Sequence, residues 1–251
     1  MNHIMTEYFE INSDRYPISC KIIKSAEGCV EKTILGIHGF CGGKESFMLT
    51  KIGEAAAGRN AALICFDLPA HGQSAALDDQ LTIGNCLKDI QILSEWIDQT
   101  YPEADRNLFA TSFGGFLALQ CLDRFYDHKM ILRAPAVTMP EHILLDLIDD
   151  DLETYRRRGR TETGFERKIK LPYAFYEEIQ HYTVMNRNYD HPALILHGDL
   201  DEVVPRGDIS HFCQNNLNFV LKTIPNTEHR ILDPAIQHHV VDLAMDWFEI
   251  L

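Results

Sequence analysis

The 251-residue sequence predicts an α/β fold built on a mostly parallel sheet with helices on both faces, and three observations lead there. Short apolar runs rich in β-branched residues recur along the chain. Segments with helical spacing lie between most of them, the alternation expected of parallel strands joined by crossover helices. The runs are near-continuously apolar, as strands covered on both faces are.

Taken in order, the first 25 residues read as a hairpin, with YFEINS and ISCKIIK flanking a turn around Asp14 and Pro17. That hairpin makes the sheet mixed, with an antiparallel leading edge. TILGIHG (33–39), AALICFD (61–67), NLFAT (107–111), KMILRA (129–134), ALILHG (193–198) and FVLKTI (219–224) supply the remaining strands, and AIQHHVVDLAMDWF supplies a final helix. From Pro135 to Asp190 no convincing strand is seen. That stretch holds LLDLIDDDLETYRRRGR and the aromatic-rich LPYAFYEEIQHYTV, and it is too long for an ordinary connection. The expectation is a single domain over 1–251 with a helical cap inserted at about 136–190. The charge blocks of the insertion read as solvated helix faces. Tyr173, Phe175, Tyr176 and Tyr182 either pack the insertion onto the main body or line a pocket. Gly159 and Gly164, flanking RTET, serve either as lid hinges or as plain loop positions.

Composition excludes some partners. With 23 basic against 37 acidic side chains the formal charge is −14, which argues against nucleic acid or an anionic membrane and favours a small neutral substrate. Cysteines at 20, 29, 41, 65, 86, 121 and 213 form an odd set without framework spacing, so reduced thiols and a cytoplasmic location are expected. Neither a basic-then-apolar leader nor a membrane-length apolar run is seen.

The chemistry centres on NLFATSFGGFLALQCL, residues 107–122, where a lone serine stands between an apolar run and a small-residue helix start. A serine exposed on a tight strand-to-helix turn needs small neighbours, and Ala110, Gly114 and Gly115 provide them. Alone, the same pattern equally describes a helix N-cap. A serine nucleophile also needs a base and a carboxylate to orient that base. LILHGDLDEVVP (194–205) opens a loop with Asp199, Asp201 and Glu202; IPNTEHRI (224–231) opens one with His229. Both follow strands at their carboxyl ends, the edge that Ser112 occupies and the edge where open parallel sheets bind ligands.

With the order Ser112, Asp201, His229 the chain resembles the α/β-hydrolase fold family. Four motifs carry the likeness over nearly the whole length outside the insertion. HGFCGG (38–43) resembles the oxyanion loop, DLPAHGQS (67–74) the turn after the fourth strand, ATSFGG the nucleophile elbow and HGDLDEVVP the acid loop. Alanine at 110 stands where the family pattern has glycine. The resemblance implies an eight-stranded sheet, Ser112 as nucleophile, Asp201 as acid at the fifth position of HGxxDxxVP, and His229 as base. It also implies oxyanion donors at the main-chain amides of Phe40 and Phe113 and a cap that selects substrate. No metal is expected, because neither His238 nor His239 pairs with a second histidine or a carboxylate loop at metal-ligand spacing, and no cofactor is expected. Cys41, Tyr173, Tyr176 and Val203 are the expected substrate contacts, Cys41 as a filler thiol rather than a nucleophile. Asp199 is an alternative acid that falls at the wrong point of the motif. His38, His71 and His197 are expected to make local hydrogen bonds, Asp67 and Ser74 to shape a turn, and His238 and His239 to point apart on a helix. The implied activity is a serine esterase cleaving small to medium carboxylic esters through an acyl-enzyme, similar to bacterial cinnamoyl and feruloyl esterases and monoacylglycerol lipases. A thioesterase, a small peptidase or a carbon–carbon hydrolase would use the same residues. A non-catalytic ligand-binding protein is the reading from another class.

Overall fold

The computed structural model describes residues 3–125, 128–164 and 167–250. The chain opens with the antiparallel pair β1 (Ile4–Ile11) and β2 (Ile18–Ser25), in register from Ile4 opposite Ser25 to Ile11 opposite Ile18. There follow β3 (Lys32–Ile37), helix α1 (Phe47–Ala57), β4 (Ala61–Phe66), α2 (Ile83–Thr100), β5 (Asp105–Thr111), α3 (Phe113–Gln120) and β6 (Lys129–Arg133). A long segment leads from there to β9 (Ala193–Gly198), α7 (Arg206–Asn215), β10 (Phe219–Ile224) and α8 (Pro234–Trp247). Within the segment lie α4 (Leu144–Asp146), α5 (Leu152–Arg158), β7 (Arg160–Thr163), β8 (Ile169–Pro172) and α6 (Tyr173–Ile179).

Eight strands form one sheet in the order β1-β2-β4-β3-β5-β6-β9-β10. Only the β1–β2 and β2–β4 pairings are antiparallel, so the leading edge is mixed and the rest is parallel. Successive side chains of a strand point to opposite faces, and both faces are covered here. On one face Leu35, Ile37, Ile64, Phe66, Leu108 and Leu132 pack with Ile90 and Leu93 of α2 and Phe116 of α3. On the other Ile34, Leu63, Phe109, Ile131 and Leu196 pack with Leu49 and Ile52 of α1 and Val240 and Ala244 of α8. This double coverage is why the strand sequences read as unbroken apolar runs.

Helix starts follow side-chain chemistry. Thr82 accepts the Asn85 amide at 3.0 Å to cap α2, Asp151 accepts the Thr154 amide at 2.8 Å to cap α5, and Asp233 caps α8 ahead of Pro234. Gly159, with φ +71°, ends α5 in the left-handed conformation that a C-terminal glycine allows, so its place is a helix stop.

The segment between β6 and β9 differs from the expectation of helices alone. β7 and β8 pair antiparallel, from Arg160 opposite Pro172 to Thr163 opposite Ile169. Their buried positions are Thr161, Thr163, Ile169 and Leu171, with charged residues between. Half of the inward face is threonine and each strand spans four residues, which leaves too little apolar alternation to read as a strand. The segment is tied down by charged groups on main chain. Glu178 of α6 accepts the Ile83 and Gly84 amides at 3.0 and 3.1 Å, covering orphan donors at the start of α2. Arg167 donates to the carbonyls of His71, Gly72 and Ser74 at 3.0–3.2 Å.

Candidate active site

Ser112 stands at the junction of β5 and α3, with φ 51° and ψ −115°. A non-glycine residue held there stores about 1–3 kcal/mol and persists only where its surroundings fix it. The fixing groups are visible. Its amide donates to the Arg133 carbonyl at 2.9 Å, and its carbonyl accepts from Phe116 and Ala136 at 3.0 and 3.1 Å. A Cβ on Gly114 would fall 2.6 Å from the carbonyl oxygens of Ile37 and His38, so only glycine lets α3 start this close to β3. Ala110 is fully buried, and the tight turn forms with its methyl in place. Although Ser112 occupies the cap position of α3, its hydroxyl makes no capping hydrogen bond.

The hydroxyl faces His229 instead, with Oγ 3.2 Å from Nε2. The other ring nitrogen, Nδ1, lies 2.8 and 3.0 Å from the Asp201 carboxylate oxygens. With Nδ1–H donating to the carboxylate, Nε2 is left as an acceptor toward the serine. Asp201 Oδ1 also accepts the Val203 and Val204 amides, which fixes the carboxylate from its own loop. Burial pushes this carboxyl up, but the hydrogen bond and charge of His229 and the Val204 amide outweigh it and hold Asp201 below the usual carboxylate range. Asp199 faces elsewhere, its Oδ1 accepting the Thr227 amide at 3.2 Å.

The HGFCGG loop lies against the serine. A Cβ on Gly39 would sit 3.2 Å from Ser112 Cβ and 3.8 Å from its Oγ. His38 pins the loop, its Nδ1 donating to the Gly39 carbonyl at 2.7 Å and its Nε2 accepting the Leu68 amide at 3.0 Å. Burial lowers the His38 pKa, which keeps that nitrogen an acceptor. His71 donates to the Pro69 carbonyl at 2.8 Å. His197 departs from the expectation of local hydrogen bonding. Buried at the end of β9, it makes no ring hydrogen bond among the described residues, and its Nδ1 stands 3.9 Å from Asp201 Oδ2. His238 bonds its own helix, Nδ1 lying 2.7 Å from the Pro234 carbonyl.

Phe113 is the first residue of α3, so its amide has no carbonyl partner within the helix. The Phe40 ring meets those of His71, Phe113 and Phe175, with centroids 5.3, 5.4 and 6.1 Å away. Phe175 comes from α6, so the inserted segment reaches the site through this aromatic group. The four expected substrate contacts are placed less uniformly. Cys41, at φ 60°, lies 3.8 Å from Thr163 Oγ1 of β7, and burial raises its thiol pKa. Tyr173 and Tyr176 pack with buried Tyr155 at centroid distances of 5.1 and 6.3 Å, and Tyr155 donates to the Pro172 carbonyl at 2.6 Å. Val203 contributes its amide to Asp201.

Two charged residues near the site escaped sequence reading. Lys44, 1% exposed, pairs through Nζ with Asp67 Oδ2 at 2.5 Å and reaches Ser19 and Gln73. Asp67 in turn accepts the Lys44 and Gln73 amides, so a buried ion pair with its hydrogen bonds filled joins the HGFCGG loop to DLPAHGQS. Arg133, at the end of β6, donates to the His229 carbonyl at 2.7 Å. Among the described residues no group of three or more His, Cys, Asp or Glu is placed to hold a metal ion, and no helix is long and apolar enough to cross a membrane.

A family described as alpha/beta hydrolase fold matches residues 32–164, more than half of the chain. No curated protein sequence matches. Among solved structures, Est1E from Butyrivibrio proteoclasticus with ferulic acid bound is 21% identical, with TM-score 0.82 over 96% of this chain and 99% of that one. A protein from Agrobacterium vitis S4 is 20% identical, with TM-score 0.79 over 98% and 99%. Alpha/beta hydrolase domain-containing protein 10 from mouse is 21% identical, with TM-score 0.73 over 97% and 98%. The strand order, the serine turn and the family match together place this chain in the alpha/beta hydrolase fold family.

Proposed function

We propose that the chain is a cytoplasmic serine hydrolase that cleaves carboxylic esters of small to medium size through an acyl-enzyme. The observation that carries the reading is the unbroken line from Ser112 Oγ to His229 Nε2 at 3.2 Å and from His229 Nδ1 to Asp201 at 2.8 Å, at one sheet edge. In the proposed reaction Oγ attacks the ester carbonyl carbon as its proton passes to Nε2, and the carbonyl electrons move onto oxygen. The amides of Phe40 and Phe113 receive that oxyanion; a single donor of this kind contributes about 3–4 kcal/mol to the transition state. Asp201 holds the imidazole and stabilises its charged form. Collapse of the tetrahedral adduct breaks the ester C–O bond, and the alcohol leaves with the proton from Nε2. Water, deprotonated by the same nitrogen, then attacks the acyl-enzyme and releases the acid.

The segment at 136–190 is proposed as a cap that shapes the acyl pocket through Phe175 against Phe40 and Phe113. The likeness to Est1E, which binds ferulic acid, favours an aromatic acyl group among the esters to be tried. A fluorophosphonate probe is expected to label Ser112 and abolish hydrolysis of p-nitrophenyl acetate, with Ser112→Ala neither labelled nor active. A folded wild-type chain that resists the probe and turns over no ester overturns the esterase reading and leaves ligand binding without turnover.

A further inference from the structure

His229 sits in the connection between the end of β10 at Ile224 and the start of α8 at Pro234, which holds neither helix nor strand. A base carried on such a loop needs its main chain held from outside, since an error of about 1 Å at a reacting group lowers rates roughly 100-fold. Both polar groups of its backbone are held, and by side chains of opposite charge. The His229 amide donates to Glu202 Oε2 at 3.1 Å, and its carbonyl accepts from Arg133 Nη1 at 2.7 Å.

We propose that Arg133 and Glu202 form a two-sided clamp on the main chain of His229, with Arg133 the principal positioning residue for the base. The inference rests on the proposed esterase reaction and adds residues that act through His229 without touching substrate. Arg133 suits the role by its place in the sheet. As the last residue of β6 it is paired on both sides, with Thr111 of β5 and Leu196 of β9, in the interior of the sheet. Its own carbonyl accepts the Ser112 amide at 2.9 Å, so one residue fixes the nucleophile by its backbone and the base by its side chain. Burial pulls the guanidinium down to about 10 while the charge of Asp201 opposes that pull, so Arg133 stays charged at neutral pH and keeps its donor. Glu202 is exposed and belongs to the loop that carries Asp201, so the acid and the base are linked twice, once through the imidazole and once through the backbone. Because water competes for Glu202, its share of the clamp is the smaller.

The test uses the full chain with p-nitrophenyl acetate and follows kcat, KM and Tm for Arg133→Met, Arg133→Lys, Arg133→Ala and Glu202→Ala. For Arg133→Met we expect kcat to fall about 30- to 100-fold with KM within about twofold, the pattern of a group felt only in the transition state. Arg133→Lys should recover part of the loss, and millimolar guanidinium should raise kcat of Arg133→Ala without acting on wild type. Glu202→Ala should lower kcat about three- to fivefold at unchanged Tm. A folded Arg133→Met with wild-type kcat, or a loss confined to KM, overturns the proposal. Should the Arg133 variants not fold, an unchanged kcat in Glu202→Ala overturns the two-sided clamp. Failure of the esterase reading is recognised separately, by a wild-type chain that neither labels nor turns over.

Discussion

At the scale of single residues, the line from Ser112 through His229 to Asp201 depends on which imidazole nitrogen bears the proton. Asp201 enforces Nδ1–H, because its carboxylate only accepts. Asp201→Asn presents an amide that can donate, which favours the other tautomer and turns Nε2 toward Ser112 as a donor. We expect kcat for p-nitrophenyl acetate to fall about 10³- to 10⁴-fold with KM and Tm nearly unchanged. Full activity in a folded Asp201→Asn protein would mean that another group orients the base. Gly114 tests the turn itself. With two carbonyl oxygens 2.6 Å from a Cβ at that position, Gly114→Ala should lose about 1–3 kcal/mol, read as roughly 2–4 °C of Tm for each kcal/mol. Ser112, Asp201 and His229 were legible in the sequence because each sits in a short motif that follows an apolar strand. Arg133 and Lys44 were not. Arg133 meets His229 across 96 positions and Lys44 meets Asp67 across 23, and no local spacing announces such partners.

At the scale of elements, six sheet strands, β3 to β6, β9 and β10, were readable from their apolar runs, and β1 and β2 from the turn between them; the hairpin β7–β8 was not. A strand buried on both faces shows itself as a run, whereas β7 hides threonines and exposes Arg160 and Glu162. How the inserted segment docks was equally hidden, because its anchors are charged side chains on distant main chain. Glu178 supplies the case to test. It accepts two amides at the start of α2, where the helix dipole favours a negative charge, and Thr82 caps the same helix at Asn85. Glu178→Ala leaves those two donors without their carboxylate while the Thr82 cap remains. The expected loss is about 0.5–2 kcal/mol, the range of a helix cap, or a few degrees of Tm. Because α6 also carries Phe175 against Phe40, the same variant should change KM for bulky acyl esters more than for acetate. An unaltered Tm would show that the contact contributes nothing to stability; equal KM changes across the acyl series would show that α6 does not shape the acyl side of the site.

At the scale of the whole molecule, pH acts on the fold through buried acids that pull in opposite directions. Asp201 is held below its ordinary range, so its share of stability is present above the unfolded pKa and is lost as pH falls through the folded one. Asp89 behaves inversely. It is buried on α2 beneath the leading hairpin, where burial raises its carboxyl from 3.8 to about 6 despite hydrogen bonds from Tyr16 at 2.9 Å and Arg15 at 2.6 Å. A carboxyl with a raised folded pKa stabilises the fold while protonated, below about pH 3.8. That contribution fades as pH rises toward 6, by about 3 kcal/mol when each pKa unit is worth 1.36 kcal/mol. The net charge of −14 adds self-repulsion in the same direction as the acids ionise. Asp89→Asn removes the titration and keeps the shape of the side chain, with an amide still able to meet Arg15 and Tyr16. Urea unfolding of both proteins between pH 4 and 7 isolates the effect, since the repulsion is nearly common to the two. The stability of wild type relative to Asp89→Asn should decline by about 2–3 kcal/mol over that span, steepest between pH 4 and 6. Parallel curves would mean that Arg15 and Tyr16 hold Asp89 ionised throughout, leaving the hairpin fastened to α2 by a permanent ion pair rather than by one that weakens with protonation.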